Sequence, residues 1–193
     1  MPRRKKFWLV LIAIAVIAAL IYGGQAWWLR KHGGSPQALP NPILDVDKHF
    51  SRFPPGFPAD PGEAGKKTIQ GIDADHDGVR DDVQRWIYAF APNEPKKQMA
   101  LRQMTRFYQE YSLNDEFNPD LIARGKEPLD RAVQCIYRTF NDEMHGYAEE
   151  TYLKAKILNT YSRVKRYWEN NDKITTKEME GDHPRYESPC DNQ

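Results

Sequence analysis

The feature that most constrains this chain is an acidic loop that leads directly into a helical pattern. Residues 68–90 read TIQGIDADHDGVRDDVQRWIYAF. Asp occupies every second position at 73, 75 and 77, and Gly78 follows. Apolar residues then recur at helical spacing as far as Phe90. Crowded carboxylates repel one another, so keeping them close in a fold costs free energy unless a cation compensates their charge.

The spacing of the acids predicts a calcium site. Calcium binds six to eight oxygen atoms in flexible geometry, and Gly at the sixth loop position permits the sharp turn that wraps the ion. The predicted ligands are Asp73, Asp75, Asp77, the carbonyl of Val79 at position seven, Asp81 at position nine (directly or through water) and Gln84 at position twelve. The alternative is a solvated Asp/Gly turn in which Asp81 or Asp82 caps the helix.

The stretch Asp73-Ala-Asp-His-Asp-Gly-Val-Arg-Asp-Asp-Val resembles the calcium loops of thrombospondin type 3 repeats and of dockerin-type half EF-hands. GIDADHDGVRDDVQRWI, with its lead-in PGEAGKKT at 61–68, is also similar to a motif in uncharacterised bacterial envelope proteins. The strong match covers about 25 of the 193 residues and carries no assigned activity. The resemblance implies calcium ligands at Asp73, Asp75, Asp77, Val79 and Asp81.

Three differences from a paired EF-hand indicate that the predicted calcium site is unpaired and binds weakly. Position twelve is Gln84 rather than a bidentate acid, which removes one charge and one oxygen and should weaken calcium binding. Position eight is Arg80, where a paired loop would need an apolar residue, and Gly71 interrupts any entering helix. We therefore expect a single structural calcium site rather than a calmodulin-like sensor.

The N-terminus has the pattern of a membrane anchor. Four basic residues, 3–6, precede the segment Phe7–Tyr22, which is entirely apolar or aromatic. After residue 6, the next charged residue is Arg30. The uncharged run 7–29 would span ~34 Å as a helix, enough for a hydrocarbon core of ~30 Å. The flanking charges orient the N-terminus to the cytoplasm. The alternative is a signal peptide cleaved near Gly24-Gln25-Ala26, which would leave a mature chain starting at Trp27.

Four segments follow from these patterns: a basic stub and anchor at 1–31, a Pro/Gly-rich linker at 32–67, a helical domain at 68–172 and a polar tail at 173–193. Seven of the fourteen prolines lie in the linker, which predicts a semi-rigid spacer. Large apolar residues such as Phe50, Phe53 and Phe57 indicate instead that part of it lies against the domain or serves as a docking strip.

Helical periodicity dominates residues 79–170. We expect helices at about 79–90 and 95–112, a loop at 113–127, a third helix from Pro128 to about Met144, and a fourth from beyond Gly146 to about Asn170. The apolar face of the fourth is expected to include Tyr161 and Trp168. The sequence thus predicts an all-α fold: one transmembrane helix, a Pro-rich spacer and a small bundle of about four helices led by the calcium loop.

Two cysteines, Cys135 and Cys190, are expected to form one disulfide in an oxidising compartment, closing a loop of ~55 residues; two unrelated thiols are the alternative.

Residues 1–31 hold six basic residues and no acid, which leaves 22 basic against 27 acidic residues in the remainder. A mildly acidic domain argues against nucleic acid as a partner. The five histidines are scattered, and no nucleophile elbow or phosphate-binding loop is present in the sequence.

These features predict a single-pass protein of the bacterial inner membrane, held by residues 7–29, whose C-terminal domain lies in the periplasm or at the cell exterior. We expect a non-enzymatic calcium-binding module that acts in protein interaction or envelope assembly with an unknown protein partner. The alternative is an envelope enzyme, hydrolase-like, whose site the sequence does not reveal. Convergent polar groups in a cleft would favour the enzyme, and an exposed aromatic patch would favour the binding module.

Overall fold

The computed structural model of the chain describes residues 45–116, 119–140, 143–174 and 184–191. Within these ranges the protein has six α-helices and no β-strand, which confirms the predicted all-α class. The helices are α1 Val46–His49, α2 Asp81–Phe90, α3 Pro95–Phe107, α4 Pro119–Thr139, α5 Glu143–Ile157 and α6 Tyr161–Asn171, and a 3₁₀ turn occupies Ala64–Lys66.

The predicted membrane segment at 7–29 lies outside the described residues, and so does the choice between an anchor and a cleaved signal peptide. The same holds for the basic stub, for the first part of the predicted linker and for residues 175–183 of the predicted tail. None of the helices in the described ranges is both long enough and apolar enough to cross a bilayer.

Helix α3 organises the hydrophobic core. It packs against α2, α4 and α5, and its buried stripe of Ala100, Leu101 and Met104 follows the helical period. The other helices face it with the apolar residues that periodicity selects, namely Val83, Trp86, Ile87, Ala132, Ile136, Leu153 and Ile157. Burial of these side chains supplies the main driving force for folding.

Helix α3 ends in a π-helical turn, Tyr108–Ser112. The N–H of Leu113 donates to the carbonyl of Tyr108 at 2.9 Å, which closes the wider i to i+5 ring. The hydroxyl of Tyr108 is buried and donates to Glu150 of α5 at 3.0 Å. Burial, and then the neighbouring negative charge of Glu150, raises the pKa of Tyr108 far above its usual value, so this hydroxyl stays protonated as a donor.

The predicted loop at 113–127 is wrong over its second half, because α4 begins at Pro119 and runs through Pro128. A proline inside a helix costs one backbone hydrogen bond, and packing offsets that cost here. Leu121 is buried, and Gly125 lets the helix approach the ring of Tyr111. Composition indicated a loop because Asn, Gly and Pro are common in turns, but tertiary contacts override that preference.

The predicted fourth helix is also wrong, because residues 143–171 form two helices with a break at 158–160. Thr160 has extended backbone angles, and its hydroxyl accepts the N–H of Arg163 at 3.3 Å, so it is the N-cap of α6. Helix α5 starts before Gly146 instead of after it. The new direction of α6 leaves Tyr161 82% and Trp168 56% exposed, where the uninterrupted pattern predicted an apolar face.

Residues 45–67 pack on the helices, which is the second of the two expectations for the Pro-rich segment. Helix α1 contacts α2, and buried Asp47 accepts a hydrogen bond from Lys156 of α5 at 3.1 Å. Three phenylalanines surround Tyr88 of α2 with ring centroids 5.0–5.7 Å away, namely Phe50, Phe53 and Phe57. The described part of the segment therefore belongs to the helical unit.

The C-terminal residues 184–191 lie across α3 and α4. A disulfide joins Cys190 to Cys135, whose Cα atoms are 4.8 Å apart. Gln103 of α3 donates to the carbonyl of Pro189 and accepts the N–H of Asp191, both at 3.0 Å. Gln134 of α4 holds the segment in the same way, through the carbonyl of Pro184 and the N–H of Tyr186. Two side-chain amides and one covalent bond thus fix this part of the tail.

Substituting Gly125→Ala tests the close contact between α4 and the π-helical turn. Helix propensity alone would make the change stabilising, but the new Cβ would lie 2.8 Å from the Tyr111 ring. We expect the free energy of unfolding to fall by about 1–3 kcal/mol in urea titrations. In a Tyr111→Ala background the same substitution should stabilise the protein; destabilisation in both backgrounds would contradict the contact.

Candidate metal centre

The backbone of the acidic loop is wrapped around its own carboxylates. Asp73 accepts the N–H groups of Asp77 and Gly78 at 3.2 and 3.0 Å. Asp77 accepts the N–H of Val79 at 2.8 Å, and Asp81 accepts the N–H of Ala74 at 3.0 Å. Gly78 has φ +83°, a left-handed conformation that most other residues would adopt only with strain. The sharp turn predicted at loop position six is present.

Three of the predicted ligands converge. Carboxylate oxygens of Asp73, Asp75 and Asp81 lie within 4.8 Å of one another. Asp77 belongs to the same loop, but its carboxylate is taken up by the N–H of Val79, by the amide of Gln84 and by an ion pair with Arg102 of α3. The loop therefore gathers three carboxylates at one point, and the charge of the fourth is compensated by a protein cation.

Gln84, the predicted ligand at position twelve, aims its amide at these carboxylates. Nε2 donates to Asp75 and to Asp77, each at 2.9 Å. The side chain is only 5% exposed, and its Oε1 has no hydrogen-bond partner among the described atoms. A buried amide oxygen without a partner costs free energy. A 180° rotation of the amide would present Oε1 to the carboxylate cluster, where a cation would be its partner, and would turn Nε2 to the position that Oε1 now occupies.

The electrostatics of the loop favour a positive ligand. Burial is the largest cause that raises the pKa of Asp81, and the negative charges of Asp75 and Asp73 add to it, against the hydrogen bond from Ala74. At Asp75 burial acts in the same direction, but hydrogen bonds led by that of Gln84 outweigh it and lower the pKa. A cation among these groups would relieve the repulsion that Asp81 experiences.

The acids do not serve as a simple helix cap. Helix α2 begins at Asp81, two residues later than predicted, and its N-cap residue is Arg80, which makes no side-chain capping bond. Asp81 turns back to Ala74, and its own N–H donates to the carbonyl of Ile72 at 2.8 Å. Asp82 bonds Arg80 and Asn159 instead. The alternative in which Asp81 or Asp82 caps the helix does not match this arrangement.

A buried polar network fixes the loop from its other side. Arg80 makes a two-pronged pair with Asp82, Nε to Oδ1 at 2.9 Å and Nη2 to Oδ2 at 3.1 Å, and donates to the carbonyl of Ile157. Asn159 donates to Asp82 at 2.8 Å and accepts from Arg163. Hydrogen bonds from Arg80 and Asn159 hold the pKa of Asp82 below its usual value although burial opposes this, so the carboxylate stays charged.

Arg163 extends this network to the loop's lead-in. The residue is fully buried and donates to three main-chain carbonyls, those of Gly65, Thr68 and Ile69, at 2.6–3.0 Å. Burial, and then the positive charge of Arg80, lowers its pKa to about 10. Gly71 leaves room for both guanidinium groups, because a Cβ there would lie 2.5 Å from Cδ of Arg80.

Helix α3 and its π-helical turn supply loop contacts that sequence reasoning missed. Arg102 pairs with Asp77, the stem of Arg106 lies against Gly78, and Gln109 bonds the backbone of Gly78 and Arg80. The three residues are four and three positions apart, so they share one helix face. That spacing is a weak signal, because basic and amide residues at i, i+4 and i+7 are common on solvated faces.

Two open clefts with polar linings lie away from the loop carboxylates. One, of about 320 Å³, is lined by Gln70, Gln109, Asp115 and Glu116 among others. Asp115 is already bound there by Gln70 and Arg166. The other, of about 310 Å³, lies between Phe90, Lys97 and Phe140. Neither cleft contains the carboxylates of the loop.

Comparison of the chain with protein-family models, with curated proteins and with solved structures gives no match.

Replacing Arg163 tests whether the buried network holds the loop. Arg163→Met would leave the carbonyls of Gly65, Thr68 and Ile69 without these donors, and we expect the free energy of unfolding to fall by about 3 kcal/mol or more in urea titrations. Arg166→Met on the same helix removes a partly exposed pair with Asp115 and should cost less than about 1 kcal/mol. Equal losses for the two variants would contradict a special role for Arg163.

Proposed function

We propose that the loop binds one calcium ion and that the ion stabilises the fold. The observation that carries this proposal is the convergence of Asp73, Asp75 and Asp81, beside which the buried amide of Gln84 is bonded to Asp75 and has an oxygen without a partner among the described atoms. These three carboxylates and Gln84 would hold the ion directly. Asp77 would contribute only by exchanging its bond with Gln84 or Arg102, and Val79 would offer its carbonyl.

Several features support calcium in particular. All the candidate ligands are oxygen atoms, which suits a hard cation, and no His or Cys belongs to the described cluster. Smaller magnesium requires near-ideal octahedral geometry, whereas the flexible coordination of calcium tolerates a neutral amide and a water in the shell. A neutral twelfth residue and a protein cation at Asp77 lower the negative charge of the site. We therefore propose a modest affinity, suited to a compartment with abundant calcium.

Thermal unfolding of the full-length chain in calcium and in chelator tests the ion site. Calcium at about 100 times its dissociation constant should stabilise the folded state by ~2.7 kcal/mol, which raises Tm by roughly 5–10 °C. Asp73→Ala should abolish this calcium-dependent shift. Asp172→Asn, an exposed acid at the end of α6, should retain it. Identical wild-type melting curves across millimolar calcium would contradict calcium binding.

We further propose that the domain is presented outside the cytoplasm of a bacterium by the apolar segment 7–29, as a single-pass protein of the inner membrane. The support is the pattern of that segment and the Cys135–Cys190 disulfide, since such bonds persist in oxidising compartments such as the periplasm. In this arrangement the helical domain would face the periplasm or the cell exterior, where calcium is available to the loop.

As its role we propose non-enzymatic protein interaction or envelope assembly. The support is the exposure of two large aromatic side chains on α6, Tyr161 and Trp168, which are seven positions apart and so share a face. Exposed aromatic residues are enriched in binding surfaces. The alternative, a hydrolase-like envelope enzyme, would draw on the polar linings of the two clefts, in the larger of which Asp115 is already held by Gln70 and Arg166.

A photo-crosslinking amino acid at position 168 of the full-length chain tests this role in the bacterial envelope. We expect a discrete protein adduct at Trp168 and none at Asn171, an exposed polar position of the same helix. Trp168→Ser should suppress partner binding while changing the free energy of unfolding by no more than about 0.5 kcal/mol, as for surface substitutions in general. Equal crosslinking at both positions would contradict a specific aromatic surface.

A further inference from the structure

The side chain of Gln109 binds the loop backbone on both sides of Val79. Its Nε2 donates to the carbonyl of Gly78 at 2.9 Å, and its Oε1 accepts the N–H of Arg80 at 3.1 Å. Gln109 is the second residue of the π-helical turn Tyr108–Ser112, a type of helix irregularity that is frequent at functional sites. A single amide therefore pairs with the loop as a neighbouring strand would.

Because the peptide bond is planar, this contact also determines the direction in which the Val79 carbonyl points. In a trans peptide the C=O and the N–H point in opposite directions, and the described backbone contains no cis peptide bond. The N–H of Arg80 points at Gln109, so the carbonyl of Val79 points away from it. The carbonyl of Gly78 also points at Gln109, so the N–H of Val79 likewise points away, and there it meets the carboxylate of Asp77 at 2.8 Å.

The C=O and N–H of Val79 thus point away from Gln109, in the direction where the N–H meets an acid of the loop. The Val79 side chain is fully buried in the hydrophobic core, which fixes the residue against rotation. We propose that Gln109 is a positioning residue that orients the Val79 carbonyl as a ligand of the calcium ion. This inference rests on the proposed calcium site and adds a residue outside the loop to it.

Gln109 would also stabilise the proposed calcium loop, which has no partner loop. A metal ligand that is held by an outer hydrogen bond loses less freedom on binding, and removal of such an outer partner typically costs 10–100-fold in metal affinity. The Val79 carbonyl is flanked by two such bonds from one side chain. The π-helical turn of α3 would therefore support this calcium loop in the way that a second loop supports the first in a paired EF-hand.

Selective labelling gives a direct readout, because Val79–Arg80 is the one Val-Arg dipeptide in the sequence. The full-length chain, in mild detergent, is labelled with ¹³C-carbonyl valine and ¹⁵N-arginine, so an HNCO spectrum contains a single peak from this peptide. Calcium chloride is then titrated against this peak, and the dissociation constant is measured by calorimetry. We expect the Val79 carbonyl carbon to shift on saturation.

The variant Gln109→Met removes both bonds at similar side-chain length, and we expect at least a tenfold rise in the calcium dissociation constant. Gln98→Met is the matched control, since Gln98 lies on α3 and donates to the carbonyl of Ala91, away from the loop. The control should lower Tm in chelator but leave the dissociation constant unchanged. A purely structural role for Gln109 would give the same pattern as this control and would overturn the inference.

The remaining outcomes separate the inference from the proposed function. Absence of calcium binding by wild type overturns both. Binding by wild type with an unmoved Val79 carbonyl overturns the role of Gln109 and the assignment of Val79 as a ligand, but leaves the carboxylate site in place. If Gln109→Met does not fold, Gln109→Glu replaces it, because Glu keeps the acceptor for Arg80 but loses the donor to Gly78. Weaker calcium binding by Gln109→Glu, in spite of its added negative charge, supports the inference, and equal or tighter binding overturns it.

Discussion

The structure depends most on two buried guanidinium groups near a single carboxylate, Asp82, which Arg80 bonds directly and whose charge acts on Arg163. Arg80 and Arg163 are both almost fully buried, and Asp82 and Asn159 lie between them. One carboxylate cannot neutralise two cations, so the remaining charge is stabilised by main-chain carbonyls from the loop's lead-in and from the end of α5. Breaking a buried pair of this kind by removing one partner typically costs 3–5 kcal/mol. The lead-in, the start of α2 and the α5–α6 turn are therefore held together by one network.

This network gives two adjacent acids different environments. Asp81 faces Ala74 and the carboxylate cluster, where burial and like charges raise its pKa. Asp82 faces Arg80 and Asn159, and those hydrogen bonds lower its pKa. Arg80, which departs from the pattern of a paired EF-hand, is thereby explained: it is the buried anchor of α2 rather than a misplaced contact residue. The network thus fixes the loop, and on our proposal the carboxylate cluster of the loop binds a cation.

Local features of this fold were predictable from the sequence, and contacts between distant residues were not. The all-α class, the apolar residues of α2 and α3 and the turn at Gly78 follow from periodicity and residue type. The start of α4 was missed because the contact between Gly125 and Tyr111 outweighs the turn-forming composition of 113–127. The break before α6 was missed because the cap at Thr160 does not interrupt the apolar spacing. Arg102, Gln109 and Arg163 reach the loop and its lead-in across sequence separations of 25 to 98 residues, which no short motif encodes.

On our proposal of a calcium site, the same contacts favour a stabilising ion over a calcium-driven switch. A switch needs an element with two arrangements whose energies differ by only a few kcal/mol, so that the ion selects one of them. Here the start of α2 is held by the hydrogen bond from the N–H of Asp81 to the carbonyl of Ile72 and by the Arg80–Asp82 ion pair, both of which form between groups of the protein. On our proposal, an ion bound by the carboxylate cluster adds its binding free energy to that of these contacts. On our proposal calcium therefore raises the stability of this domain without changing which face of α6 it presents.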